Sequence, residues 1–162
     1  MIIDLNQQEM RLAIQVGTER CISSWSKGSK HAAGYKPKDL FDTNIKGAAA
    51  EIAVAKMLDV YYVPSVDTYK DEPDIYPNIE VRMTEMKRPS LIIRPNDVRD
   101  RRYVLVQNLW EHGHLPKFAV LGWEAFTNGV DKTWEKYWTD FGQNRPHCWA
   151  IPANELHKME VL

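Results

Sequence analysis

Ile79-Glu80-Val81-Arg82-Met83-Thr84 is the stretch whose reading decides the fold. Apolar Ile79, Val81 and Met83 alternate with polar Glu80, Arg82 and Thr84, the period-2 pattern of a half-buried strand. Residues two apart project to the same side, so Glu80 and Arg82 share one face of that strand. Working outward, Leu91–Arg94, Tyr103–Gln107, Phe118–Trp123 and His147–Ile151 read as further strands. Turn signals separate them at Pro95-Asn96-Asp97 and His112-Gly113-His114. The segment Trp134–Trp138 suits a short helix, and Ala153–His157, entered through Pro152, a closing turn.

Upstream of Pro64 the periodicity is helical. Leu5, Glu9, Leu12, Ala13, Val16 and Arg20 recur at three- and four-residue steps, which predicts a helix from Asn6 to about Lys27. Residues 28–44 are punctuated like a loop, and a second, Ala-rich helix is expected from about Ile45 to Leu58 with Thr43 or Asn44 as its N-cap. Helices followed by strands give an α/β arrangement, a mixed sheet of about four or five strands flanked by the two helices.

At 162 residues, with no repeat or Gly/Ser-rich linker, the chain is expected to form one domain over residues 1–162. Its 44% hydrophobic and 27% charged content is that of an ordinary globular protein. No apolar run reaches the roughly 20 residues of a membrane span, and the start MIIDLNQQEM lacks the layout of a signal peptide. Cys21 and Cys148 have no CxxC spacing and read as reduced thiols, which suits a cytoplasmic protein without a membrane partner.

The net charge of -1, from 21 Lys+Arg and 22 Asp+Glu, excludes strong binding to nucleic acid by bulk electrostatics. The balance is local as well as global. Residues 67–80 hold five acids and one base, and residues 81–102 hold seven bases and three acids. Two readings stand: an acidic pocket beside a basic stripe, as a metal enzyme acting on a polyanion needs, or an unevenly charged surface.

Three acids have unusual surroundings. Glu51 shares its helical face with Ala48, Val54, Ala55 and Leu58, so it points along an apolar stripe and needs a partner there. The alternative is a glutamate in the first turn, partly solvated and favoured by the helix dipole. Asp74 follows Pro73 in an extended turn and precedes Glu80 on the strand. Glu80 with Arg82 otherwise reads as a solvent-facing pair of small energetic value.

A helix glutamate, then Pro-Asp, then Glu-x-basic on a strand resembles the order of catalytic residues in the PD-(D/E)XK nucleases. The segments Gly47–Leu58, Asp74, Ile79–Arg82, Leu91–Pro95 and Tyr103–Val106, with the closing Ile151–Leu156 run, also look like a group of small tailed-phage proteins, themselves similar to divergent PD-(D/E)XK members. The resemblance implies a restriction-endonuclease-like fold and a phage endonuclease acting on DNA in the cytoplasm of the infected host. Phosphodiester hydrolysis needs charge neutralised and a water deprotonated, work that Mg²⁺ or Mn²⁺ does from hard oxygen ligands. Asp74 and Glu80 would be those ligands, Glu51 a third or outer one, and Arg82 the cation that steadies the phosphate.

The nuclease pattern has Lys where this chain has Arg82, and an arginine stays protonated and cannot serve as a base. Glu85-x-Lys87 restores the lysine but falls on the apolar side of the strand; Lys87 and Lys56 are held in reserve. The departure motivates a second reading, a nuclease-fold module without catalysis that binds DNA or a phage or host protein. Relatives that cut two strands often act as dimers, although no segment here marks a self-complementary patch. His112-Gly113-His114 lacks further zinc ligands, and the six Trp suit core packing better than base stacking. Arg99-Asp100-Arg101-Arg102 is divided evenly between a phosphate grip and a solvated turn.

Overall fold

The computed structural model describes residues 1–26, 39–66, 71–111, 113–142 and 145–162. Strand β1 (Ile2–Asp4) leads into helix α1 (Gln7–Ser26). Asn6 caps that helix: its Oδ1 accepts from the N–H groups of Gln8 and Glu9, and Glu9 accepts from the Asn6 N–H in return. Helix α2 spans Leu40–Met57, so it starts five residues before the expected Ile45 and takes Asp39 as N-cap in place of Thr43 or Asn44. Of the expected loop 28–44, residues 39–44 therefore lead into or form this helix, and residues up to 38 lie outside the described ones. Asp59, at φ 54, ends α2, and the Val60 N–H reaches back to the Ala55 carbonyl at 3.0 Å, a Schellman-type closure.

Eight consecutive residues of α2, Ala48 through Ala55, are buried. A helix buried all round lies between two layers, here α1 on one side and a sheet on the other. The small residues let the backbones close up. A methyl group on Gly17 of α1 would stand 2.6 Å from the Ile45 Cα of α2.

The remaining strands are β2 (Ile79–Thr84), β3 (Ser90–Ile93), β4 (Arg101–Asn108), β5 (Lys117–Phe126), β6 (Trp138–Thr139) and β7 (Cys148–Pro152). They form a four-stranded sheet in the order β1-β5-β4-β2 and a three-stranded sheet in the order β3-β7-β6. The larger sheet is mixed, with β2 parallel to β4 and the other pairs antiparallel. The fold is thus the α/β arrangement of a mixed sheet flanked by helices. Both helices lie on one face, and the second sheet covers the other.

Central β4 is buried on both sides. Val104 and Val106 enter the core beneath the helices, while Tyr103 and Leu105 enter the core shared with the second sheet. Ile79, Val81 and Met83 of β2 belong to the helix side, which sends Glu80 and Arg82 to the other face as expected. That face is covered rather than solvent-facing. Trp134 and Trp149 pack around Phe126 in the second core, in line with the reading of the Trp residues as packing groups. The expected helix at Trp134–Trp138 is a single 3-10 turn over Glu135–Tyr137, and the short strands β1 and β6 had no legible signal.

Gly17→Ala is expected to lower stability by about 1–3 kcal/mol, because the added methyl meets backbone that cannot swing aside. Urea denaturation reads it; an unchanged midpoint would show that the helices are free to part.

Candidate functional site

Strand β2 is an edge, so every second backbone N–H of it faces away from β4 and needs another acceptor. Asp74 supplies one. Its Oδ2 accepts from the Val81 N–H at 2.8 Å, while Ile75 and Ile79 exchange backbone bonds at 3.1 and 3.0 Å. These bonds fold the stretch after Pro73 along the strand edge and set the Asp74 carboxyl between the two faces of the sheet. Glu51 approaches from the helix side and Glu80 from the other.

Glu51 is only 6% exposed, and it is fully partnered. Arg20 of α1 grips it in a fork, with both nitrogen–oxygen distances at 2.7 Å, and the Tyr62 hydroxyl donates to Oε2 at 2.8 Å. Arg20 itself is fixed by the Ser65 carbonyl and hydroxyl at 3.0 and 3.1 Å. Burial alone would make the Arg20 guanidinium easier to deprotonate; the bond to Glu51 outweighs that and holds it above its ordinary range. Burial and the Glu51 charge push the Tyr62 hydroxyl up, so it stays a donor. Glu51 therefore sits in mid-helix with a cation of its own, and the alternative of a solvated first-turn glutamate does not hold.

Glu80 pairs with Arg101 at the start of β4, not with Arg82. Arg101 is only 9% exposed, and it also donates to the carbonyls of Glu72 (3.1 Å) and Asp71 (3.3 Å) just ahead of Asp74. Arg82 reaches Asp97 at 3.1 Å and lies over the Tyr103 ring, 5.2 Å from its centre. Its Nε is buried with no hydrogen-bond acceptor. Burial would lower its proton affinity, but Asp97, Glu80 and Asp74 together raise it, so Arg82 is a permanent cation.

Among the described residues no cation pairs with the Asp74 carboxylate in this way. Burial first, then the charges of Glu51 and Glu80, push its carboxyl up to about 7 from an ordinary 3.8, against the pull of the Val81 N–H and Arg82. Three carboxyls from a helix, a loop and a strand thus lie within electrostatic reach, the condition under which perturbed acids mark sites of chemistry.

The reserve lysines do not join them. Lys56 donates to the Asp4 carbonyl at 2.9 Å and pairs with Glu9 at 3.0 Å, and Lys87 is exposed beyond the end of β2. Glu85 is taken by Lys46 and Asn108. The arginines of residues 99–102 go to separate places. Arg99 stacks on Phe126, Arg101 is buried on Glu80, and Arg102 lies over Trp123. Asp67 and Lys70 of the acidic stretch, and His112, lie outside the described residues.

Carboxylate oxygens are the donor type that a hard divalent cation takes. In the present arrangement arginines hold the two glutamates. Among the described residues no three acidic, His or Cys side chains surround one point closely enough to share an ion. The set fits in charge and donor type, with Asp74 as its open member.

Two outcomes are expected. Arg20→Ala should cost about 3–5 kcal/mol in urea denaturation, since it leaves Glu51 buried without its counter-charge. The second is a pH effect. Between about pH 4 and pH 7 the folded protein keeps Asp74 protonated while the unfolded chain has released that proton. Asp74 thus stabilises the fold most at low pH, and this contribution is lost as pH rises through about 7. The stability of Asp74→Asn relative to the wild type should accordingly increase over that window; a flat difference would show that Asp74 titrates normally.

Compared with known proteins, the chain matches no protein-family model, and neither the curated proteins nor the solved structures gave a match. Function has to be argued from these side chains themselves.

Proposed function

We propose that the protein is a divalent-cation-dependent DNA endonuclease of the restriction-endonuclease-like kind, made by a tailed phage and working in the host cytoplasm. The observation that carries this reading is that Glu51 and Glu80, from a helix and a strand, act electrostatically on the buried Asp74 carboxyl, which accepts from the Val81 N–H and has no paired cation among the described residues. Among the described residues no helix is long and apolar enough to cross a membrane.

Asp74 and Glu80 would hold Mg²⁺ or Mn²⁺, which supplies charge neutralisation and a nucleophile at neutral pH. Glu51, kept in one orientation by Arg20 and Tyr62, stands behind them. Arg82 adds a fixed positive charge on the face of Glu80. Its Nε has no acceptor among the described residues, and a phosphate oxygen is an acceptor that a guanidinium matches well. Among the described residues no lysine amine of α2 reaches the cluster, so solvent or the phosphate would have to take the proton of an attacking water.

One observation favours a second reading. Glu51 and Glu80 already have arginine partners, as in a nuclease fold that has kept its acids for stability and binds DNA or a phage or host protein without cutting. Supercoiled plasmid with Mn²⁺ separates the two. Cleavage is expected, with at least a 100-fold loss in Asp74→Ala and in Glu80→Ala. Undiminished cutting by both variants would sink the metal assignment. Absence of both cutting and calorimetric Mn²⁺ binding, with retention of DNA, would establish the second reading.

A further inference from the structure

We infer that Arg101 is a built-in counter-cation of this site, which holds Glu80 in the resting protein and gives it up when a divalent ion binds. The inference rests on the metal-dependent reading above and names the regulation of that site. Arg101 bridges both elements that carry the proposed ligands. It bonds the Glu80 carboxylate on β2, and through the Asp71 and Glu72 carbonyls it fastens the stretch leading to Asp74. No other arginine of the cluster touches both. Arg20 is committed to Glu51 and Ser65 on the helix side, and Arg82 pairs with Asp97.

The charge count supports an exchange. Among the described residues, four acids (Glu51, Asp74, Glu80, Asp97) face three arginines (Arg20, Arg82, Arg101). With Arg101 in place and Asp74 ionised, one negative charge is left over. With Arg101 withdrawn, two are left over, the charge of one divalent ion. The oxygen released is a hard donor on the same face as Arg82, the one position where a cation would share Glu80 with the phosphate-binding group. A guanidinium and a metal ion cannot occupy that oxygen together without charge repulsion in a low-dielectric corner. Arg101 thus holds the two elements together and sets a threshold of cation concentration below which Glu80 stays paired.

Calorimetric titration of Mn²⁺ into the metal-free full chain tests this with no need for activity. Arg101→Gln keeps hydrogen-bond donors near the carbonyls but removes the charge, and is expected to bind Mn²⁺ at least tenfold more tightly than the wild type. That gain should vanish in Arg101→Gln/Glu80→Gln. Equal or weaker binding by Arg101→Gln, with the wild type binding normally, overturns the counter-cation and leaves the metal site standing. Absence of Mn²⁺ binding in both proteins overturns the two together. Should Arg101→Gln not fold, Arg101→Lys serves, since a point charge cannot bridge carboxylate and carbonyls alike: a smaller gain supports the exchange, and an unchanged affinity overturns it.

Discussion

A carboxylate leaves water only if something else solvates it, and one corner of this protein takes four acids out of bulk water at once. Their cations come from distant parts of the chain: Arg20 from α1 for Glu51, Arg101 from β4 for Glu80, Arg82 from β2 for Asp97. Much of the tertiary structure has to be in place for these pairs to exist. Arg20 reaches Glu51 only if α1 lies against α2, the approach that Gly17 permits. Arg101 reaches Glu80 only if β4 is parallel to β2 with Glu80 beside Tyr103. The electrostatics and the packing therefore enforce the same arrangement.

The edge of β2 links the fold to the site. A strand edge with free N–H groups is a liability, and proteins usually blunt it with charge, proline or a covering loop. Here the covering loop brings an aspartate, and its Oδ2 takes the Val81 N–H. One oxygen does structural work and the carboxyl as a whole is left poised between Glu51 and Glu80. The bond that closes the sheet edge favours the ionised carboxyl, but burial and the charges of Glu51 and Glu80 outweigh it and push the carboxyl up to about 7.

Period-2 alternation made β2 legible because its two faces really differ: Ile79, Val81 and Met83 enter the helix-side core, and Glu80 and Arg82 enter a polar corner. The start of α2 was misread because Thr43 and Asn44 are good capping residues by type. Tertiary packing continues the helix back to Asp39, with Asn44 turned inward onto Leu40 and Cys21. In the site, residue order was enough to bring Glu51, Asp74, Glu80 and Arg82 to one corner. What it could not show was who neutralises whom. Arg20 left a trace, a cation on the buried stripe with Ala13 and Val16. Arg101 left none, because in Arg99-Asp100-Arg101-Arg102 only the strand register tells which arginine turns in.

The near-zero net charge takes on a different meaning from this register. The acids of residues 71–80 and the bases of residues 81–102 are in part turned inward, while Asp71, Glu72, Lys87 and Arg88 stay exposed. Arg82 and Arg101 turn in and are spent on Asp97 and Glu80, and Arg99 and Arg102 lie on aromatic rings. Lys87 and Arg88 stay exposed, so on the reading proposed above a phosphate would be drawn both by these bases and by charge added or released beside Asp74. On the metal-dependent reading proposed above, the internal pairing that stabilises the fold would also tie recognition of an anion to the arrival of a cation.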